Sequence, residues 1–145
     1  MVSINGQPPL ATNNVAGVMR TVSDAEQEAG TENTRIVTPG RQHLHPCAAK
    51  AWAYITTSGG TPSLDHDYNI ASLNDDGVGT ITISIETDFS AANYAPVFGF
   101  ADGNSVAIMK YASIAVGSIQ LRFSNAGDTA NYDPTSFGVA LFGDQ

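Results

Sequence analysis

The chain is expected to be all-β: an antiparallel β-sandwich head of about seven strands, preceded by an extended N-terminal segment with one short helix. Three observations carry that expectation. From Lys50 onward apolar and polar residues alternate at the period of a strand, most cleanly where Ile81, Ile83 and Ile85 interleave with Thr80, Thr82 and Ser84. The runs are separated by turn compositions: Ser58-Gly59-Gly60-Thr61-Pro62, Asn74-Asp75-Asp76-Gly77, Asp102-Gly103-Asn104 and Asn125-Ala126-Gly127-Asp128. In each, Gly or Asn supplies positive φ and Asp caps locally. Finally, only 14% of residues are charged, whereas helix surfaces usually carry abundant Glu, Lys and Arg.

Taken in order, residues 1–14 read as irregular chain, because Asn5-Gly6 and Asn13-Asn14 are turn dipeptides and Pro8-Pro9 forbids helix. Val15, Val18, Val22, Ala25 and Ala29 fall at the 3-4-3-4 spacing of a coiled-coil seam. Against it, Ser23-Asp24-Ala25-Glu26 is a capping box that starts a helix there, and Gly30 stands where a glycine ends one. The reading is a helix over 24–29, too short to be stable alone. Thr31–Thr38 is extended polar chain anchored by Ile36 and Val37, and Pro39-Gly40 is a type II turn. Residues 1–44, the stem, hold too little apolar surface for a private core. They are either disordered or stabilised by other copies of the chain.

The head is 45–145, opening on His45-Pro46-Cys47-Ala48-Ala49-Lys50. Its expected strands are 50–56, 66–73, 79–86, 94–101, 105–112, 117–124 and 136–142. The first places Lys50, Trp52 and Tyr54 on one side and Ala51, Ala53 and Ile55 on the other. Trp52, Phe89, Phe98, Phe100, Phe123, Phe137 and Phe142 are more aromatic surface than one core of this size needs, so part of it is expected to face a partner subunit.

The net charge is −8. Residues 46–145 set Lys50, Lys110 and Arg122 against ten acids. Such a domain repels phosphates, so neither nucleic acid nor an anionic membrane is an expected partner. Cys47 is the only cysteine, so no intrachain disulfide forms, which suits folding in a reducing cytosol. No apolar run approaches membrane-spanning length, and the N-terminus lacks the charged and apolar regions of a signal peptide. A soluble protein is expected.

Two stretches resemble a known family. Ala25-Glu26-Gln27-Glu28-Ala29-Gly30-Thr31-Glu32-Asn33-Thr34-Arg35-Ile36-Val37-Thr38-Pro39 is similar to the "A-E-x-x-A-G-T-x-x-T-R-x-V-T-P" segment of tail fibre proteins of tailed bacteriophages. Ala48-Ala49-Lys50-Ala51-Trp52-Ala53, then Tyr68–Gly79, then Ala92-Asn93-Tyr94-Ala95-Pro96-Val97 resemble the fibre-tip pattern "A-K-A-W-V-x-F … x-N-V-S-S-x-x-D-N-G-x-G … A-N-Y-A-x-V". The likeness covers roughly residues 25–100, and Val139–Gln145 also suits the family. It departs in having Ala53 for Val and Tyr54-Ile55 for Asn-Phe. The resemblance implies the distal part of a tail fibre, a homotrimer in the virion tail that joins other tail proteins and touches a glycan or protein on the host surface. It is implied to be adhesive, not an enzyme. The alternatives are a purely architectural tail or fibre-anchoring protein without a receptor site, and an accessory module of a carbohydrate-active enzyme.

His43-Leu44-His45 is the sharpest chemical candidate. Two imidazoles at i and i+2 on an extended segment face one side, and three chains around an axis would present an octahedral all-His site for iron or another divalent metal. Trimeric phage fibres use such sites, although family members often carry only the second His. The bland reading is a polar junction, with His45 hydrogen-bonded and His43 solvated. Asp65-His66-Asp67 and Asp75-Asp76-Gly77 lack the oxygen count of a calcium loop and are explained as turns. Glu86 and Asp88 are close in sequence with no identifiable cleft. No Gly-x-Ser-x-Gly elbow occurs, no phosphate-binding fingerprint spans Gly99 to Gly103, and Cys47 reads as a packed thiol. For surface recognition, the loop Asn125–Tyr132 offers Tyr132 to stack on a sugar and Asn131 to hydrogen-bond. Asp102 and Asn104 form a shorter candidate, and ordinary solvated turns are the plain alternative.

Overall fold

The computed structural model describes residues 19–101 and 107–145. Its contacts divide into two units, one ending at Ala48 and one beginning at Ala49.

In the first unit, helix α1 spans Asp24–Ala29, and its ends show why. The Ser23 hydroxyl accepts from the Glu26 backbone N–H at 3.3 Å, while the Glu26 carboxylate accepts from the Ser23 backbone N–H at 2.8 Å. These bonds satisfy donors that the first turn leaves open. At the other end Gly30 adopts φ 63°, a left-handed cap that a Cβ would disfavour. The Ser23 backbone N–H, then its hydroxyl, then Arg35 hold the Glu26 carboxyl below the ordinary carboxylate range. The Val22 N–H donates to Ile36 O at 3.1 Å and the Ile36 N–H to Arg20 O at 3.1 Å, which makes a parallel bridge between Thr21 and Ile36. Val22 is buried, and Arg41 pairs with Asp24 at 2.9 Å. Pro39–Leu44 is a 3-10 helix, where the sequence reads as a type II turn followed by extended chain. Proline at the first helical position supplies the φ that starts it, and Gly40 is not among the residues with positive φ. The seam residues Val15 and Val18 lie outside the described residues.

Among the described residues the regular elements of the second unit are all strands: β1 (Ala51–Ser58), β2 (Thr61–Tyr68), β3 (Ile70–Asp75), β4 (Thr80–Ile85), β5 (Ala95–Ala101), β6 (Ala107–Ala115), β7 (Ser118–Asn125) and β8 (Ser136–Phe142). They form two four-stranded antiparallel sheets, ordered β2-β1-β8-β5 and β3-β4-β7-β6. First and last strands pair at the middle of one sheet, so the two ends of the domain are tied together.

Two expectations are corrected here. Segment 61–65 is strand, not turn: Gly59 and Gly60, at φ 60° and 87°, make the whole hairpin turn. Positive φ at both central positions matches the right-handed twist of the flanking strands, and Pro62 is tolerated because β2 is an edge. The single strand expected over 66–73 is broken at Asn69, whose φ of 59° turns the chain out of β2 and into β3 of the other sheet.

The sandwich core follows from alternation. Ala51, Ala53 and Ile55 of β1 and Phe137, Val139 and Leu141 of β8 point inward from one sheet. They meet Ile81, Ile83 and Ile85 of β4 and Ile119, Leu121 and Phe123 of β7 from the other. The Phe123 and Phe137 rings join the sheets at 4.8 Å between centroids, tilted by 55°. Such a pair contributes roughly 0.5–1.5 kcal/mol beyond the area it buries. Phe89 and Tyr94, on the connection between β4 and β5, stack at 4.1 Å and close one end. The Tyr94 hydroxyl donates to Ser118 O at 2.8 Å, and burial pushes its pKa up to about 12. Lys50, expected beside Trp52 and Tyr54, is buried, and its backbone N–H donates to Leu141 O at 2.8 Å.

Candidate binding surface

The outer faces of the two sheets differ in chemistry. On the β3-β4-β7-β6 sheet, Thr80, Thr82 and Ser84 of β4 lie beside Ser118, Gln120 and Arg122 of β7. These groups are linked to one another. The Asp76 carboxylate accepts from Thr82 Oγ1 at 2.5 Å, from Gln120 Nε2 at 2.9 Å and from Asn74 Nδ2. Those donors, Thr82 first, hold the Asp76 carboxyl below its ordinary range. Asp75 meanwhile accepts from the Gly77 N–H at 3.0 Å, so turn chemistry accounts for the Asp75-Asp76-Gly77 stretch.

The β2-β1-β8-β5 sheet presents apolar rings instead. Register places Tyr68, Trp52, Ala140 and Val97 in one row across its strands, and His66, Tyr54, Gly138 and Gly99 in the next. Trp52, Tyr54, Tyr68 and Val97 are 40%, 45%, 46% and 57% exposed. Trp52 and Tyr68 are direct cross-strand neighbours. The face therefore carries aromatic rings over β2 and β1, and Gly138, Ala140 and Gly99 beside the exposed Val97 over β8 and β5. No carboxylate, Lys or Arg stands in either row. Exposed apolar groups set side by side make this face the candidate binding surface. Trp52 was counted in sequence among the residues that fill cores or face a partner; the structure puts it outside.

The other expected residues are dispersed. Asn131 is exposed, and its Oδ1 accepts from Arg122 Nε at 2.8 Å. Tyr132 is half-buried: its ring packs partly against the core and its hydroxyl is buried, which leaves less of the ring for stacking than the sequence suggests. Next to Asn131 the Asp128 carboxylate accepts from Lys110 Nζ at 2.5 Å, with Arg122 Nη2 at 3.8 Å. The Lys110 hydrogen bond leads in holding Asp128 below the ordinary carboxylate range. The Asn125 side chain accepts from the Thr129 N–H at 2.9 Å and the Ala130 N–H at 3.3 Å, which fixes the loop. Asp102 and Asn104 lie outside the described residues.

His43 sits within the 3-10 helix and His45 caps it. At about three residues per turn, positions i and i+2 do not share a face, so the extended geometry expected for a His43/His45 pair is absent. His45 Nδ1 accepts from the Cys47 N–H at 3.1 Å, and Cys47 is exposed where a packed thiol was expected. Among the described residues no group of three or more His, Cys, Asp and Glu could hold a metal within one chain. Likewise, among them no helix is long and apolar enough to cross a membrane. Asp65 accepts from Thr56 Oγ1 at 3.0 Å at the irregularity in β1–β2 pairing, and Glu86 and Asp88 are exposed.

No family model matches the chain, and neither a curated protein nor a solved structure matches it.

Proposed function

We propose that the protein is the distal part of a trimeric phage tail fibre, a non-enzymatic virion component whose β-sandwich head contacts the host cell surface. The observation that carries this reading is the exposed aromatic group of Trp52, Tyr54 and Tyr68, on one sheet, with the other sheet's polar groups satisfying one another. A rigid sandwich with one apolar face left open is a module built to be part of an assembly. The loop residues 125–131, held by Asn125 and carrying Asn131 beside Arg122, supply exposed hydrogen-bonding groups for a host glycan or protein. Several weak contacts on one particle raise avidity without any tight one. The sequence likeness over residues 25–100 supports the tail-fibre assignment.

The test is adsorption. Purified protein is expected to bind host cells and to compete with the phage, and Asn131→Ala with Arg122→Ala is expected to weaken both effects while the fold is kept. Protein that neither binds cells nor slows adsorption favours the second reading, an architectural tail component.

A further inference from the structure

We propose that the first unit carries a cleft for the acetamido group of an N-acetylated amino sugar, with the Gln27 side chain as the residue that reads the amide. The site is separate from loop 125–131 and does not rest on the tail-fibre reading.

The cleft has a volume of about 580 Å³ and is lined by Gln27, Val37, Gln42, His45, Cys47 and Ala48. That volume is in the range of small-molecule sites. Gln27 marks it as a built site. The residue is only 5% exposed, and it is the buried residue of α1. Its backbone N–H donates to Ser23 O at 3.0 Å, and its backbone C=O accepts from the Gly30 N–H at 3.2 Å. Its side-chain amide bonds to nothing among the described residues. A buried carboxamide left open costs stability, so an apolar residue of the same length would serve the fold better. A ligand that completes the amide offsets that cost.

The surroundings select the ligand. No lining side chain is a carboxylate, Lys or Arg, and His45 Nδ1 accepts from the Cys47 N–H at 3.1 Å, so that nitrogen carries no proton. A charged group entering the cleft would shed water with no opposite charge to meet it. Gln27 presents a donor and an acceptor in one plane, and the exposed Gln42 offers a second such amide at the rim. The group that answers donor and acceptor together is another amide. Val37 and Ala48 give the apolar wall that a methyl needs. An acetamido group has all three parts, and the rest of the volume takes the sugar ring that bears it. A peptide offers the same amide but runs on in both directions, which suits a cleft of this size less well.

Cys47 gives the readout. It is the only cysteine in the chain, it is exposed, and it lines the cleft, so N-ethylmaleimide labels one site whose access a ligand blocks. Alkylation of the full chain is followed with N-acetylglucosamine, with glucose, and with N-acetylglycine methylamide as a peptide mimic. At about ten times its dissociation constant, N-acetylglucosamine is expected to slow labelling about tenfold. Glucose, which lacks the acetamido group, is expected to have no effect. Gln27→Met keeps the length and removes the amide. It is expected to melt no lower than wild type and to lose the protection. Gln27→Glu keeps the shape, is expected to lose the protection too, and decides the matter if the methionine variant misfolds. No protection of wild type by N-acetylglucosamine overturns the inference, as does equal protection by glucose or full protection in a folded Gln27 variant. Stronger protection by the peptide mimic than by the sugar overturns the sugar assignment. Protection of Cys47 by a protein that does not bind host cells sinks the adsorption reading and leaves this site standing, so the two failures are distinguishable.

Discussion

The side chain of Asn69 clamps the backbone of Thr87 at both of its polar groups. Asn69 Oδ1 accepts from the Thr87 N–H at 2.7 Å, and Asn69 Nδ2 donates to Thr87 O at 3.1 Å. The same Nδ2 donates to Lys50 O at 3.0 Å. One amide thereby ties the sheet-switching corner to the segment after β4 and to the entry of β1. Asn also tolerates the left-handed φ of 59° that the corner requires. Asn69→Ala is expected to cost about 2–3 kcal/mol, from lost hydrogen bonds and left-handed strain together. Asn69→Gly relieves the strain and should cost less. Urea unfolding midpoints check the order, and equal losses would argue against the strain component.

A second prediction contrasts two glycines. Gly79 has φ 67°, and a Cβ there would lie 2.6 Å from Phe123 O and 2.8 Å from both Tyr132 N and O. Those neighbours are backbone and cannot move aside cheaply. Gly79→Ala is expected to destabilise by roughly 3 kcal/mol or more, whereas Gly99→Ala should change stability by less than about 0.5 kcal/mol. Thermal melts of the two variants side by side provide the check.

Alkaline pH should expose Tyr94. Its folded pKa is raised to about 12 by burial, above the ordinary phenol value near 10. The folded state therefore holds the proton more tightly, and its contribution is complete below pH 10 and lost as pH rises toward 12. Tyr94→Phe is expected to flatten the stability profile in that window, at a cost of about 1 kcal/mol at neutral pH from the lost bond to Ser118 O. An unchanged alkaline slope in Tyr94→Phe would assign the pH dependence elsewhere.

Acid should act through Asp76 with the opposite sign. Donors from Thr82, Gln120 and Asn74 lower its folded pKa, so its contribution is present above the unfolded value and lost as pH falls through the folded one. Asp76→Asn is expected to reduce the loss of stability below about pH 4. Melting temperatures from pH 2 to pH 6 measure it.

How much of this was legible depends on which residues carried a local rule. Ser23, Glu26 and Gly30 announce α1 because capping is a short-range matter, and the helix lies where they put it. Ile81, Ile83 and Ile85 announce β4 because one face is core and the other wet. The break at Asn69 was hidden: Tyr68 and Ile70 keep alternating across it, and only the side-chain bonds to Thr87 and Lys50, distant in sequence, reveal the corner. β2 was lost because Thr61-Pro62 reads as turn until the edge position is known. For the surface, Tyr132 reads in sequence as a loop tyrosine able to stack, yet the bridge between Ser124 and Asn131 draws that segment onto the sheet, and the ring packs partly against the core.

Trp52 offers the most direct measurement, since it is the only tryptophan in the chain and stands among the exposed rings. Its fluorescence maximum and iodide quenching should be followed with protein concentration, for wild type and for Gly99→Lys. Emission should be blue-shifted and shielded in the wild-type oligomer, and red-shifted and quenchable on dilution and in the variant. A tryptophan that stays open to iodide in a sample proven oligomeric by mass would contradict the claim that this face is covered in the assembly.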